Sequence, residues 1–129
     1  MVIFSVFVPG NVASSKNSKI WTGSRLVHSK VATKYINKTS KIWSNRLVQE
    51  AFANGLNKVE PPYKLQFTLI RKDKRRFDYV NMIQLPLDLM VKHGLLEDDN
   101  AKIVIPSFKP FKIDKDNSGV IISLIKDND

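Results

Sequence analysis

The chain has 129 residues, 43% of them hydrophobic and 26% charged, and its 21 Lys and Arg outweigh 12 Asp and Glu for a net charge of +9. That length suits one domain around one core, and the balance excludes a disordered chain while favouring a polyanionic partner, nucleic acid first. With no cysteine, a disulfide framework, a thiolate zinc site and a cysteine nucleophile are excluded, so any metal must sit on oxygen or imidazole.

No apolar stretch approaches the ~20 residues of a membrane span, and the opening MVIFSVFVPG lacks a basic lead and a small-residue cleavage site. A soluble protein of the cytoplasm is expected. In chain order, Val2 to Val8 alternates β-branched and aromatic residues and predicts a strand that stops at Pro9-Gly10. Asn11 to Thr22 reads as a polar loop whose small residues, Lys16 and Lys19 suit contact with a phosphate backbone or a plain connection. Leu26-Val27 predicts a short strand. Ser29 is placed to cap one long helix from about Lys30 to Ala53, ended by Asn54-Gly55. Val31, Tyr35, Ile42, Leu47 and Phe52 form its expected apolar stripe, with Lys30, Lys34, Lys38, Lys41 and Arg46 on other faces.

After Pro61-Pro62, the alternation of Leu65, Phe67 and Leu69 predicts a strand from Tyr63 to Lys72. Lys72 to Arg76 then gathers four basic residues around Asp73, read as a phosphate contact. Asp78 to His93 has a helical pattern with Gly94 as its stop, and Pro86 is expected to kink or break it. Lys102 to Ile105 predicts a strand, Ser107 to Ile113 a basic aromatic connection, and Gly119 to Ile125 a last strand.

The scarce acids collect at Asp78, Asp88, Glu97, Asp98 and Asp99. Carboxylates gathered in a basic protein repel one another unless a cation joins them, and Mg²⁺ prefers oxygen ligands. Asn81, Gln84 and Asp88 lie at i, i+3 and i+7, a polar stripe along one side of the helix that starts beside Asp78. If Asp98-Asp99 folds back to the same end, several oxygens surround one site with Lys74, Arg75 and Arg76 at its rim. The alternative is that Asp78 only caps the helix, Asp88 is exposed and Glu97 to Asp99 is a solvated turn. His28 and His93 have no ligand partner at i+4, which removes a zinc-protease reading.

The run Arg75-Arg76-Phe77-Asp78-Tyr79-Val80-Asn81, followed by Gln84, Asp88, Gly94 and Asp98-Asp99, resembles the signature of RusA-like Holliday-junction resolvases, and its intervals match without a gap from Asp78 to Asp99. The order of strand, polar loop, long helix and strand before it is also similar. The resemblance implies a single α/β (α+β) domain over residues 1–129, a small mixed sheet packed against two main helices, and a homodimer that nicks four-way junctions in pairs. It implies Mg²⁺, replaceable by Mn²⁺, held by Asp78 and Asp99 with help from Asp88 or Asp98. The catalytic set would be Asp78, Asp99, Asp88 and Gln84, and the DNA-binding set Lys16, Lys19, Lys74, Arg75, Arg76 and Asn81. Val80 stands where the family has its second Asp, and Gln84 where it has a Lys. Two other readings follow: a branched-DNA-binding protein of the same fold without catalysis, and a single-stranded DNA- or RNA-binding protein outside the family. Phage or prophage origin is a further implication of the resemblance.

Overall fold

The computed structural model describes residues 1–17 and 19–127, which form a mixed α/β domain. Strand β1 (Val2–Pro9) is followed by a 3-10 turn at Ser15–Asn17 and by the short strands β2 (Lys19–Trp21) and β3 (Leu26–His28). Helices α1 (Lys30–Trp43) and α2 (Arg46–Leu56) precede strand β4 (Tyr63–Arg71), and helix α3 (Tyr79–Lys92) precedes β5 (Val104–Phe108), β6 (Lys112–Ile113) and β7 (Gly119–Ile125). The main sheet has the order β1-β7-β4-β5, with β6 also on β4, while β2 and β3 pair with each other. β7 is antiparallel to both β1 and β4, whereas β5 and β6 run parallel to β4. A parallel neighbour requires a crossover, and α3 supplies it.

The period-2 reading of β4 holds because the strand is central: Leu65, Phe67 and Leu69 are completely buried. The helical expectation between Lys30 and Ala53 needs correcting. The helix breaks at Ser44-Asn45, and Asn45 caps the second segment by accepting from the N–H groups of Leu47 and Val48. Two predicted main helices thus become three among the described residues. The break also rotates the apolar stripe. Val31 and Leu47 are exposed, and the inner face of α1 is Ala32, Tyr35, Thr39 and Trp43 instead. Trp43 is buried because its indole N–H donates to Thr39 Oγ1 at 2.8 Å, and that hydroxyl donates to the Tyr35 carbonyl. Ser29 caps α1 as expected, through the Ala32 N–H.

Gly55 is not the helix stop that the sequence suggested. It lies inside α2, where a Cβ would come within 2.3 Å of the Phe4 ring, itself edge-on to Phe52 at 4.8 Å. Gly55→Ala therefore opposes two effects. Helix propensity favours Ala by about 1 kcal/mol, and displacing a ring held in the core costs about 1–3 kcal/mol. With so short an approach the second is the larger, and a net loss in urea denaturation is the expected outcome; a gain would mean that Phe4 relocates freely.

α3 runs unbroken through Pro86, and Gly94 ends the turn after it at φ +78°. β5 begins two residues later than the sequence suggested, because the Ile103 and Val104 N–H groups donate to the Asn100 carbonyl and keep that stretch in a turn. β5 carries Pro106 at its centre, and the predicted connection after Ser107 contributes Phe108 to β5 and then the two residues of β6. No helix among the described residues is long and apolar enough to cross a membrane.

Candidate active site

β4 delivers the chain to the site. Its last residue, Arg71, donates to the Val12 carbonyl at 2.8 Å and sits 5.2 Å from the Phe77 ring centre, which ties the loop after β1 to the segment leading into α3. Burial lowers the Arg71 pKa, an effect opposed by Asp73 and by the Tyr35 hydroxyl. Sequence reasoning missed Arg71, whose only signal was its place at the end of an alternating strand. Next, Asp73 accepts from the Arg75 N–H at 3.0 Å, a tight turn that leaves Lys74, Arg75 and Arg76 exposed.

Asp78 occupies the N-cap position of α3, yet its side chain makes no capping hydrogen bond. A cap was the plainest alternative role for this carboxylate, and the geometry does not use it. The carboxylate is instead 57% exposed and faces Lys16 Nζ at 3.8 Å. One helical turn on, Asn81 Oδ1 accepts from Ser15 Oγ at 3.3 Å, so the polar loop lies against the start of α3. Lys19 is exposed on β2, and Val80 is 71% exposed beside Asp78.

On the other flank, Phe77 stacks edge-on against Tyr79 and Phe111, and Tyr79 stacks against Phe108 at 5.0 Å. The Tyr79 hydroxyl accepts from the Phe111 N–H, holding the 109–111 segment at this end of the helix. Lys74, Arg75 and Arg76 join Phe77, Tyr79 and Phe111 around a cleft of about 250 Å³. A basic rim with an exposed aromatic ring, Phe111, matches the chemistry of nucleic acid: cations for phosphates and a π-face for a base.

The remaining acids lie elsewhere. Asp88 accepts from Gln84 Nε2 at 3.0 Å on the exposed side of α3, and at 1.5 Å per residue it stands about 15 Å along the axis from Asp78. Asp98 is committed to its own turn, accepting from the Asp99 N–H and the Asn100 amide, and these bonds lower its pKa. The pKa of Asp99 is raised, first by partial desolvation, then by its contact with Asp98 and by repulsion from Asp88 and Asp98. β5 pairs Val104 with Tyr63 at the start of β4, so Asp98 and Asp99 approach the C-terminal half of α3 and Asp78 the opposite end. The expected fold-back onto Asp78 within one chain does not occur, because the parallel register of β5 carries the preceding turn to the far end. Among the described residues no three acidic or imidazole side chains converge as a metal group. Mg²⁺ keeps several waters and needs only one or two protein carboxylates beside substrate phosphates, so uncommitted Asp78 and the mutually repelling Asp88 and Asp99 both offer donors of the right type.

Tyr35, behind Arg71, is buried with its hydroxyl unpaired, and burial pushes its pKa well above the usual tyrosine range against the opposing Arg71 charge. Folding thus favours the neutral phenol. Above about pH 10 the unfolded chain loses this proton and the folded one keeps it, so stability falls by up to about 1.4 kcal/mol per pH unit. The difference between wild type and Tyr35→Phe in urea melts should grow along that alkaline branch; parallel curves would show that Tyr35 ionises freely.

No protein-family model matches the chain, and no curated protein is similar enough to count as a relative.

Proposed function

We propose that this chain is a Mg²⁺-dependent endodeoxyribonuclease that acts as a homodimer on branched DNA, nicking four-way junctions in pairs, as its resemblance to RusA-like resolvases implies. The observation that carries the reading is Asp78: an exposed carboxylate, spared from capping, set between Lys16 and the basic aromatic cleft. A divalent ion bound there would lower the pKa of a water and offset charge on the scissile phosphate. Asp78 supplies the anionic oxygens, Asn81 and Ser15 fix the loop that carries Lys16, and Lys74, Arg75 and Arg76 hold flanking phosphates. Gln84 orients Asp88.

Two symmetric cuts need two sites related by a two-fold axis. Because Asp78 and Asp99 stand toward opposite ends of α3, an ion shared by both takes one carboxylate from each of two copies. Mixing Asp78→Asn and Asp99→Asn proteins then restores one intact site per mixed dimer and single nicks appear; a mixture as inactive as its parts refutes the shared ion. The overall reading is tested by denaturing-gel cleavage of a labelled junction, against duplex and single strand, with Mg²⁺, Mn²⁺ or EDTA. Metal-dependent paired nicks on the junction are expected.

A second reading, a branch-binding protein without catalysis, is favoured by exposed Val80 and by Gln84, which offers no cation. It predicts salt-sensitive junction binding with no products. Val80→Asp separates the two, since a second carboxylate beside Asp78 should move the Mg²⁺ midpoint of cleavage down about tenfold, or 1.4 kcal/mol. An unchanged midpoint would mean that this position does not face the ion.

A further inference from the structure

On the other side of Arg71 from the acidic site, α1, the turn after β1, the end of β4 and the loop before β7 enclose a cavity of about 350 Å³. Four lysines line it, Lys34 and Lys38 from α1, Lys72 after β4 and Lys115 from the loop, and no acid does. None of the four has a carboxylate partner among the described residues. Lys34 and Lys38 are at i and i+4, a like-charge spacing that destabilises a helix unless an anion lies between the two.

Two further features belong to the same walls. Asn11 Oδ1 accepts from the Lys72 N–H, and the Gly10 N–H donates to the Ser118 carbonyl, so the backbone around the cavity is pinned. Tyr35 lines it as well, and its hydroxyl is the one buried side-chain polar atom left without a partner among the described residues. The Lys38 stem and the Tyr35 ring edge meet at Gly10, within 3.5 and 3.7 Å of where a Cβ would be. Rotation of that flexible stem exposes the phenol to the cavity. An orphaned donor beside unpaired cations is an arrangement completed by an oxyanion.

We infer that this cavity is a phosphate-binding site, separate from the acidic end of α3, formed by Lys34, Lys38, Lys72 and Lys115 with Tyr35 as a neutral donor. The phosphate is a nucleic-acid backbone diester held at a distance from the cut; that source rests on the functional reading above, the anion chemistry does not.

The test uses the full chain in EDTA, so that cleavage plays no part. Junction affinity is measured from about 50 to about 200 mM salt for wild type, Lys34→Gln/Lys38→Gln and a charge-matched control, Lys58→Gln/Lys126→Gln. In parallel, inorganic phosphate is titrated against thermal unfolding, with chloride at equal ionic strength. Loss of the phosphate-induced shift together with a slope of log K on log salt shallower by about 1 in the first pair alone is expected for a backbone site. Loss of the phosphate shift with an unchanged junction slope assigns the cavity to a free phosphate or a small phosphorylated molecule. Tyr35→Phe should weaken phosphate binding without loss of stability, since the hydroxyl it removes has no partner. A first pair that matches the control in both arms, or a Tyr35→Phe protein that binds phosphate as wild type does, overturns the site. Absence of Mg²⁺-dependent cleavage, by contrast, would leave both arms intact and overturn only the nuclease reading.

Discussion

Asp78→Asn is expected to lower Mg²⁺-dependent junction cleavage by about 10³-fold while junction affinity changes less than about threefold. The substitution keeps the shape of the side chain and removes its charge. Its structural cost is small, because the pair with Lys16 is exposed on both sides and long at 3.8 Å, a geometry worth under about 1 kcal/mol. Asn is also a good N-cap residue, and this helix start has no side-chain cap to lose. A fall in activity therefore reports chemistry rather than unfolding. Binding should rise slightly if it changes, since one negative charge leaves a phosphate-facing surface. Single-turnover rates on a labelled junction, with circular dichroism as a control for folding, decide the matter. Full cleavage by this variant would remove Asp78 from the mechanism.

Trp43→Ala is the substitution expected to cost most in stability, about 3–5 kcal/mol, a large part of the ~5–15 kcal/mol available to a domain. Trp43 is wholly buried between the helices and the sheet. The loss should come almost entirely from the void, since Thr39 keeps its bond to the Tyr35 carbonyl when the indole is gone. Thr39→Val makes the complementary comparison. It keeps the volume and orphans the indole N–H, at a cost of about 1–3 kcal/mol. Urea midpoints at constant slope would give both values. Equal costs would mean that the hydrogen bond, and not the packing of the ring, holds α1 in place.

The contrast between those two residues shows what was legible in the sequence. Alternation in β1, β4 and β7 was readable because a two-residue period and β-branched side chains leave few other options. The single helix over Lys30 to Ala53 was misread because Asn45 fits a helical wheel as well as it fits a cap, and only the packing of Trp43 decides between them. Gly55 looked like punctuation and is a contact surface for Phe4. At the candidate site, the approach of the Lys16 loop to Asp78 was anticipated from composition alone, and so was the basic rim. The position of Asp99 was not. Whether the turn before β5 returns to the start of α3 or stays at its end depends on the register of a parallel strand, a non-local choice that no spacing along the chain encodes. Arg71 and Tyr35 were passed over for a related reason: each looks like one more member of a periodic element until the loop after β1 is folded over it.

Pro106 has a bearing on how two copies can meet. In β5 the Lys109 N–H points inward to the Phe67 carbonyl, so residues an odd number of positions away, Pro106 among them, turn their nitrogen to the open side. The middle of that border thus lacks a donor, and a strand from a neighbouring molecule would meet a gap in its ladder there. Growth of the sheet into a continuous intermolecular ribbon is disfavoured along β5, which leaves a twofold partner to dock through side chains. An association of that kind can hold two cutting centres at a set spacing without merging the two sheets into one.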